Sequence, residues 1–281
     1  MQFTETAFTF ECEESNLTGI LSLPESPLSQ GVLIIVGGPQ YRVGSHRQFT
    51  LLSRDLAQTG IPCMRFDYRG MGDSEGDLHT FENVNADMRA AVNAFYTQCP
   101  ELEKIILWGL CDAASAAAFY AHLDPRICGL VLVNPWVRTR QGEAKTQLKH
   151  YYLSRMSDAD LWRKLLSGKF KFRDACKGIF GAISRLKTSE NDKNIPLPEH
   201  MRQSLEKFQD KILFIMSGND LVAREFEDAV KASQKWQDLL NAPNVTRRDL
   251  PDADHTFSCR AWRDQVAQWT CDWVAKLCTR Y

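Results

Sequence analysis

The sequence predicts an α/β protein: a mostly parallel central sheet flanked by helices, with a helical segment inserted late in the chain. Short, uninterrupted apolar runs at Gly31–Val36, Ile105–Trp108, Ile127–Val133 and Lys211–Met216 have the length and lack of alternation that mark strands buried on both faces. Helix-patterned stretches separate them, the rhythm that produces parallel pairing. That rhythm stops between residues 136 and 209, a polar, helix-patterned stretch interrupted by Gly142, Gly168, Gly178, Pro196 and Pro198. Residues 1–135 and 210–281 are therefore read as the core. Residues 136–209 are read as a cap over the C-terminal edge of the sheet.

The composition narrows the function classes. The 281 residues are 44% hydrophobic and 25% charged with a net charge of -1, as expected for a globular chain of one large domain, with or without an insertion. The near-zero charge argues against a general nucleic-acid binder. No run of 18 apolar residues predicts a transmembrane helix, and the N-terminal MQFTETAFTFECEES lacks a basic segment followed by an apolar core. The nine Cys are scattered without CxxC pairs or Cys/His clusters, which favours reduced thiols in the cytoplasm over zinc or disulfides. No phosphate loop, dinucleotide fingerprint or metal cluster is present, so no cofactor is implied.

Taken in order, residues 1–23 alternate around turn residues at Glu13–Asn16 and read as two antiparallel edge strands. The first buried strand, Gly31–Val36, runs into Gly37-Gly38-Pro39-Gln40-Tyr41-Arg42. Ser45–Thr59 has helical spacing and Gly60 ends it; Ile61–Phe66 is the next strand. The loop Asp67-Tyr68-Arg69-Gly70-Met71-Gly72-Asp73-Ser74-Glu75-Gly76 needs unusual backbone angles at its glycines, and an Asp67–Arg69 pair would lock it. Its residues read as bracing rather than reacting. Phe81–Cys99 is amphipathic and helical, closed by Pro100. After Lys211–Met216 come a helix over 223–240, a last strand Val245–Leu250 and a final helix Cys259–Leu277.

The stretch Lys104–Ala121 organises the rest. An apolar strand turns sharply at Gly109-Leu110-Cys111-Asp112-Ala113 and continues as an alanine-rich helix. A residue at such a tip is held in strained angles and tolerates only small neighbours two positions away; Gly109 and Ala113 meet that need. The tip is Cys111, where Ser is usual. An ordinary buried thiol is the plain alternative. In this frame Gly38 is the first candidate for a second oxyanion donor, beside the Asp112 N–H, with Gln40 the alternative because Pro39 has no N–H. Asp220, just past a late strand, is the candidate acid, although an Asp there also suits a helix N-cap. His255, between the last strand and last helix, is the one His of six at the address of a base. Asn134 ends the preceding strand but carries no charge to serve as the acid.

The order nucleophile, acid, His, each after a successive strand, resembles the α/β-hydrolase superfamily, and GGPQ and FDYRGMGDSEG resemble two of its loops. Val36 stands where many members have His. The combination GGPQYRVGSHRQF, RFDYRGMGDSEG and WGLCDAASA is similar to the exosortase A system-associated hydrolases, type 1. That subgroup is encoded beside bacterial exopolysaccharide and protein-sorting genes, so the resemblance implies a setting rather than a substrate. A Cys at the elbow is shared with dienelactone hydrolase, whose fold lacks so large a cap.

Together these readings predict hydrolysis of an ester or thioester by Cys111, His255 and Asp220, on a small-molecule or carrier-linked acyl substrate. Acyl transfer by the same triad, or a silent scaffold of the polysaccharide machinery, are the alternatives. Residues 136–187 hold thirteen Lys or Arg against four Asp or Glu, a net +9. This is either a solvated face or an attraction for an anionic substrate, carrier or membrane surface. Oligomeric state stays open. Asp112 would oppose thiolate formation if its carboxylate pointed at the sulfur.

Overall fold

The computed structural model describes residues 1–38, 40–137 and 195–278. The basic part of the expected cap, from 138 to 194, and Pro39 of the first loop lie outside the described residues.

The edge hairpin forms as the alternation predicts. Strand β1 (Phe3–Cys12) pairs antiparallel with β2 (Ser15–Pro24) around Glu13, which adopts a positive φ of 54°. The continuous apolar runs become the interior of one sheet: β3 (Gln30–Ile35), β4 (Cys63–Phe66), β5 (Lys104–Leu110), β6 (Ile127–Val133) and β7 (Lys211–Ser217). With the edge strand β8 (Val245–Leu250) the order is β1-β2-β4-β3-β5-β6-β7-β8, parallel from β4 onward. β3, β4 and β6 are buried at every position, which is why their sequences do not alternate.

Helices α1 (Gln48–Gln58), α2 (Asn85–Gln98) and α3 (Asp112–Ala121) lie between successive strands. Short 3-10 turns, Ser45–Arg47 and Phe81–Asn83, precede α1 and α2, so both predicted helices begin a few residues early in the sequence reading. Helix α4 (Leu197–Lys207) buries Met201 and Leu205, and its His200 ring stacks on Phe119 of α3 at 4.2 Å. The helix expected over 223–240 is two helices, α5 (Leu221–Lys231) and α6 (Gln234–Leu240). Ser233 between them is extended (φ -138°, ψ 118°), a break that the continuing polar–apolar pattern does not announce. The last helix, α7 (Arg260–Cys278), packs Val266, Ala267 and Val274 into the core. Trp108 of β5 is fully buried; its ring meets Phe49 edge-on at 5.5 Å and its Nε1 donates to Thr270 Oγ1 at 3.3 Å. A fully buried indole N–H would be costly if left without that partner.

Register places the site. Ile35 pairs with Gly109, Leu110 with Val133, Val133 with Ile215, and Ser217 with Leu250. The C-terminal ends of β3, β5, β6, β7 and β8 thus finish side by side. The loops carrying Gly38, Cys111, Asn134, Asp220 and His255 leave from one edge of the sheet.

Candidate active site

Cys111 sits between β5 and α3 with φ 64° and ψ -124°, a strained conformation for a residue with a Cβ. Its backbone is held from both sides, by Cys111 N donating to Val133 O (2.9 Å) and Trp136 N donating to Cys111 O (3.1 Å). The turn is as tight as the small residues implied: a Cβ on Gly109 would lie 2.6 Å from the Ala113 carbonyl and 2.7 Å from Ala114 N. The side chain of Cys111 is part-exposed, while Cys12, Cys63, Cys99, Cys128 and Cys271 are buried. Burial pushes the Cys63 and Cys271 thiols up to about 12, which makes them inert packing groups.

His255 and Asp220 meet at the same edge. His255 Nδ1 lies 2.8 Å from Asp220 Oδ2, and the other face of the ring hydrogen-bonds with Cys111. Burial works against the imidazolium, but the Asp220 and Cys111 hydrogen bonds and charges outweigh it and push His255 up to about 10. Asp220 is also the N-cap of α5: Oδ1 accepts from Val222 N at 3.0 Å and Oδ2 from Ala223 N at 3.2 Å. The one carboxylate thus contacts His255 and caps α5 at once.

Asn134 contributes what its charge-free side chain allowed no one to assign. It is fully buried with φ 44°, and it ties three strand ends together. Its Oδ1 accepts from Ser217 N (2.8 Å), while its Nδ2 donates to Ser217 Oγ (2.9 Å) and to the His255 carbonyl (3.2 Å). A polar residue at the end of a buried strand was the available signal; the left-handed backbone that aims it was not visible.

The first loop is braced from a direction the sequence did not suggest. The expected Asp67–Arg69 pair does not form. Asp67, fully buried, instead accepts from Arg42 N (2.6 Å) through Oδ1 and pairs with the Arg42 guanidinium through Oδ2. Arg42 also reaches Asp73 at 2.6 Å. Arg69 turns away to Asp87, at 2.9 Å, and to Glu13. The parallel register brings the end of β3 beside β4, so the loop after β3 is the nearer partner for Asp67.

The two oxyanion candidates differ in what their N–H groups do. Gln40 N donates back to Gly38 O at 2.8 Å. Gly38, at φ 61°, directs its N–H toward the elbow, where Asp112 Oδ2 accepts it at 2.8 Å. The other oxygen, Oδ1, accepts from Ala113 N at 3.0 Å, and the Asp112 N–H also reaches the carboxylate. Burial raises the Asp112 pKa, opposed by the Gly38, Ala113 and Asp112 N–H bonds and by the charge of His255. The carboxylate therefore faces N–H donors of both the loop and the turn.

Beside these groups opens a cleft of about 880 Å³, lined by Gly38, Asp112, Tyr68, Met71, Phe81 and His79 among others. Tyr68 is buried, its Oη has no hydrogen-bond partner among the described residues, and burial followed by the charges of Asp112 and Asp87 raises its pKa well above the usual range. Among the described residues no group of three His, Cys, Asp or Glu is arranged to hold a metal ion, and no helix is long and apolar enough to cross a membrane.

Known proteins of this architecture are close in shape and distant in sequence. The chain superposes on an esterase from Pyrococcus furiosus with a TM-score of 0.66 at 16% identity, covering 98% of this chain and 91% of that one. A thermostable carboxyl esterase from Bacillus coagulans gives 0.65 at 16% identity, covering 99% of each chain. A dienelactone hydrolase from Anabaena variabilis gives 0.60 at 16% identity, covering 98% and 99%. No curated protein sequence matches the chain. The serine aminopeptidase S33 family matches residues 29–256, from the first buried strand through the His255 loop; the family is serine-type, whereas this chain has Cys111 at the elbow. The chain belongs to that family of α/β hydrolases.

Proposed function

We propose that the chain is an acyl hydrolase that cleaves a carboxylic ester or thioester with Cys111 as nucleophile, His255 as acid and base, and Asp220 as the group that orients and charges His255. The observation that carries this reading is the contact of His255 Nδ1 with Asp220 Oδ2 at 2.8 Å while its other face engages Cys111. The esterase neighbours named above favour an ester over a peptide bond, and the cleft of about 880 Å³ has room for a small acyl group and its leaving group.

In this reading the Cys111 thiolate attacks the carbonyl carbon while His255 holds the proton. The C–O or C–S bond to the leaving group then breaks, and His255 gives it that proton. Water next loses a proton to His255 as its oxygen adds to the thioester, and collapse returns the thiolate and a carboxylic product. The Asp112 and Gly38 N–H groups hold the oxyanion in both steps; one such donor is typically worth about 10²–10³ in rate. Transfer to an alcohol, amine or thiol in place of water is the second reading, since the thioester intermediate awaits any nucleophile.

The motifs 37–49, 65–76 and 108–116 are the basis for placing the enzyme in an exosortase-linked exopolysaccharide system. The basic stretch 136–187 is the basis for an anionic or carrier-linked substrate. The test is labelling by a chloroacetamide probe and turnover of p-nitrophenyl esters of several lengths. Both should be lost in Cys111→Ala and His255→Ala. Turnover that survives Cys111→Ala would remove Cys111 as nucleophile.

A further inference from the structure

Gly38 N–H and the Asp112 N–H are the two donors that an oxyanion would need, and both face a carboxylate already in place, that of Asp112 itself. The placement is crowded rather than incidental. A Cβ on Gly37 would lie 2.1 Å from Asp112 Oδ1, so the loop approaches as closely as it does because position 37 is glycine. A tetrahedral oxyanion and this carboxylate are both anions seeking the same N–H groups, so they exclude each other.

Across the same cleft is a group with the opposite deficiency. Tyr68 Oη is buried and has no partner among the described residues, although a buried hydroxyl is normally hydrogen-bonded. Its titration is raised in part by the Asp112 charge, so the two side chains already sense each other. Among the described residues His255 also faces Asp112, and its charge favours the carboxylate.

Resting on the acyl-hydrolase reading, we propose that Asp112 is a gate on the oxyanion hole: closed, its carboxylate takes the Gly38 N–H; open, it swings to accept from the Tyr68 phenol and vacates the donors for the substrate carbonyl. The swing gives up amide N–H bonds for one to the phenol, so the closed position is the resting one and a substrate carbonyl must compete for the donors. No covalent step is added to the mechanism. The gate makes oxyanion stabilisation available only when a substrate in the cleft competes with the carboxylate, which keeps Cys111 from reacting with every passing carbonyl.

The test compares two reactions at one sulfur. Acylation by p-nitrophenyl acetate passes through an oxyanion; alkylation by iodoacetamide displaces iodide at a saturated carbon and does not. Both rates are measured at Cys111, followed by mass spectrometry of the labelled peptide, in a Cys259→Ser background, because Cys259 is the exposed thiol among the described residues. The ratio of acylation to alkylation cancels changes in thiolate content. It should rise at least about tenfold in Asp112→Ala, against the 10²–10³ typical of one oxyanion donor. It should rise less in the near-isosteric Asp112→Asn, whose amide oxygen still accepts from Gly38, and fall in Tyr68→Phe. A ratio in Asp112→Ala at or below wild type overturns the gate, and an unchanged ratio in Tyr68→Phe overturns its open position. If instead neither reagent reacts with wild type faster than with His255→Ala, the acyl-hydrolase reading fails and takes the gate with it.

Discussion

The carboxylate of Asp220 serves His255 and the first turn of α5 at once: Oδ2 meets His255 Nδ1 at 2.8 Å and accepts from Ala223 N at 3.2 Å. Charge and capping can therefore be separated. Asp220→Asn keeps a good cap, so the melting temperature should stay near wild type while the ester turnover falls by up to about 10⁴, the loss typical when the orienting acid of a triad becomes an amide. Asp220→Ala should lose the cap as well, at about 1 kcal/mol. Calorimetry beside kinetics checks both; equal activity in wild type and Asp220→Asn would exclude Asp220 as the acid.

Cys111→Ser should change the shape of the pH profile, not only its height. His255 is pushed up to about 10 by Asp220 and Cys111 together, against burial. In wild type His255 keeps its proton below that value, and acylation should decline as pH rises through about 10 and that proton is lost. A serine hydroxyl stays neutral, so the share due to Cys111 disappears and the His255 pKa falls. Serine needs neutral His255 as base, so the variant's acylation rate should rise with pH through that lowered pKa. Burst measurements from pH 6 upward decide it, and parallel profiles would contradict this account of His255.

Asn134→Asp tests the clamp on the His255 loop. The variant keeps an acceptor for Ser217 N but replaces the donor to Ser217 Oγ and His255 O with a second acceptor. A buried carboxylate against a carbonyl should cost about 1–3 kcal/mol of stability and lower kcat more than KM, because His255 is displaced while the cleft is not. Loss of stability with unchanged kcat would reduce Asn134 to a structural role.

Asp67→Ala should loosen the loop that carries Gly38. Breaking a buried ion pair typically costs about 3–5 kcal/mol; the lower end is expected here because Arg42 retains Asp73. Denaturant midpoints measure the loss. The accompanying rate change should appear in acylation and not in iodoacetamide alkylation, since the brace acts on the oxyanion donor.

The elbow was legible because its causes are local. An apolar strand, Gly109 two before the tip and Ala113 two after are requirements of chain neighbours, and the 2.6 Å approach to Ala113 shows how little room they leave. The addresses of Asp220 and His255 were legible for a related reason: Asp220 follows a buried strand whose sequence does not alternate, His255 follows the exposed edge strand beside it, and parallel strands end on one edge.

The sequence by itself thus determined the strands, their parallel arrangement and the chain order of the candidate triad. Tertiary structure alone decided who meets whom across the loops. Asp67 chose Arg42, 25 residues upstream, over Arg69 two residues away, because β3 lies beside β4 in the sheet. Asn134 became a clamp because β6 and β7 end in register next to the His255 loop. The direction of the Asp112 side chain was set by an N–H group 74 positions earlier. Backbone patterns propagate along neighbouring residues and can be read there. Hydrogen-bond partners of buried polar groups are settled only when distant segments compete for the same donor.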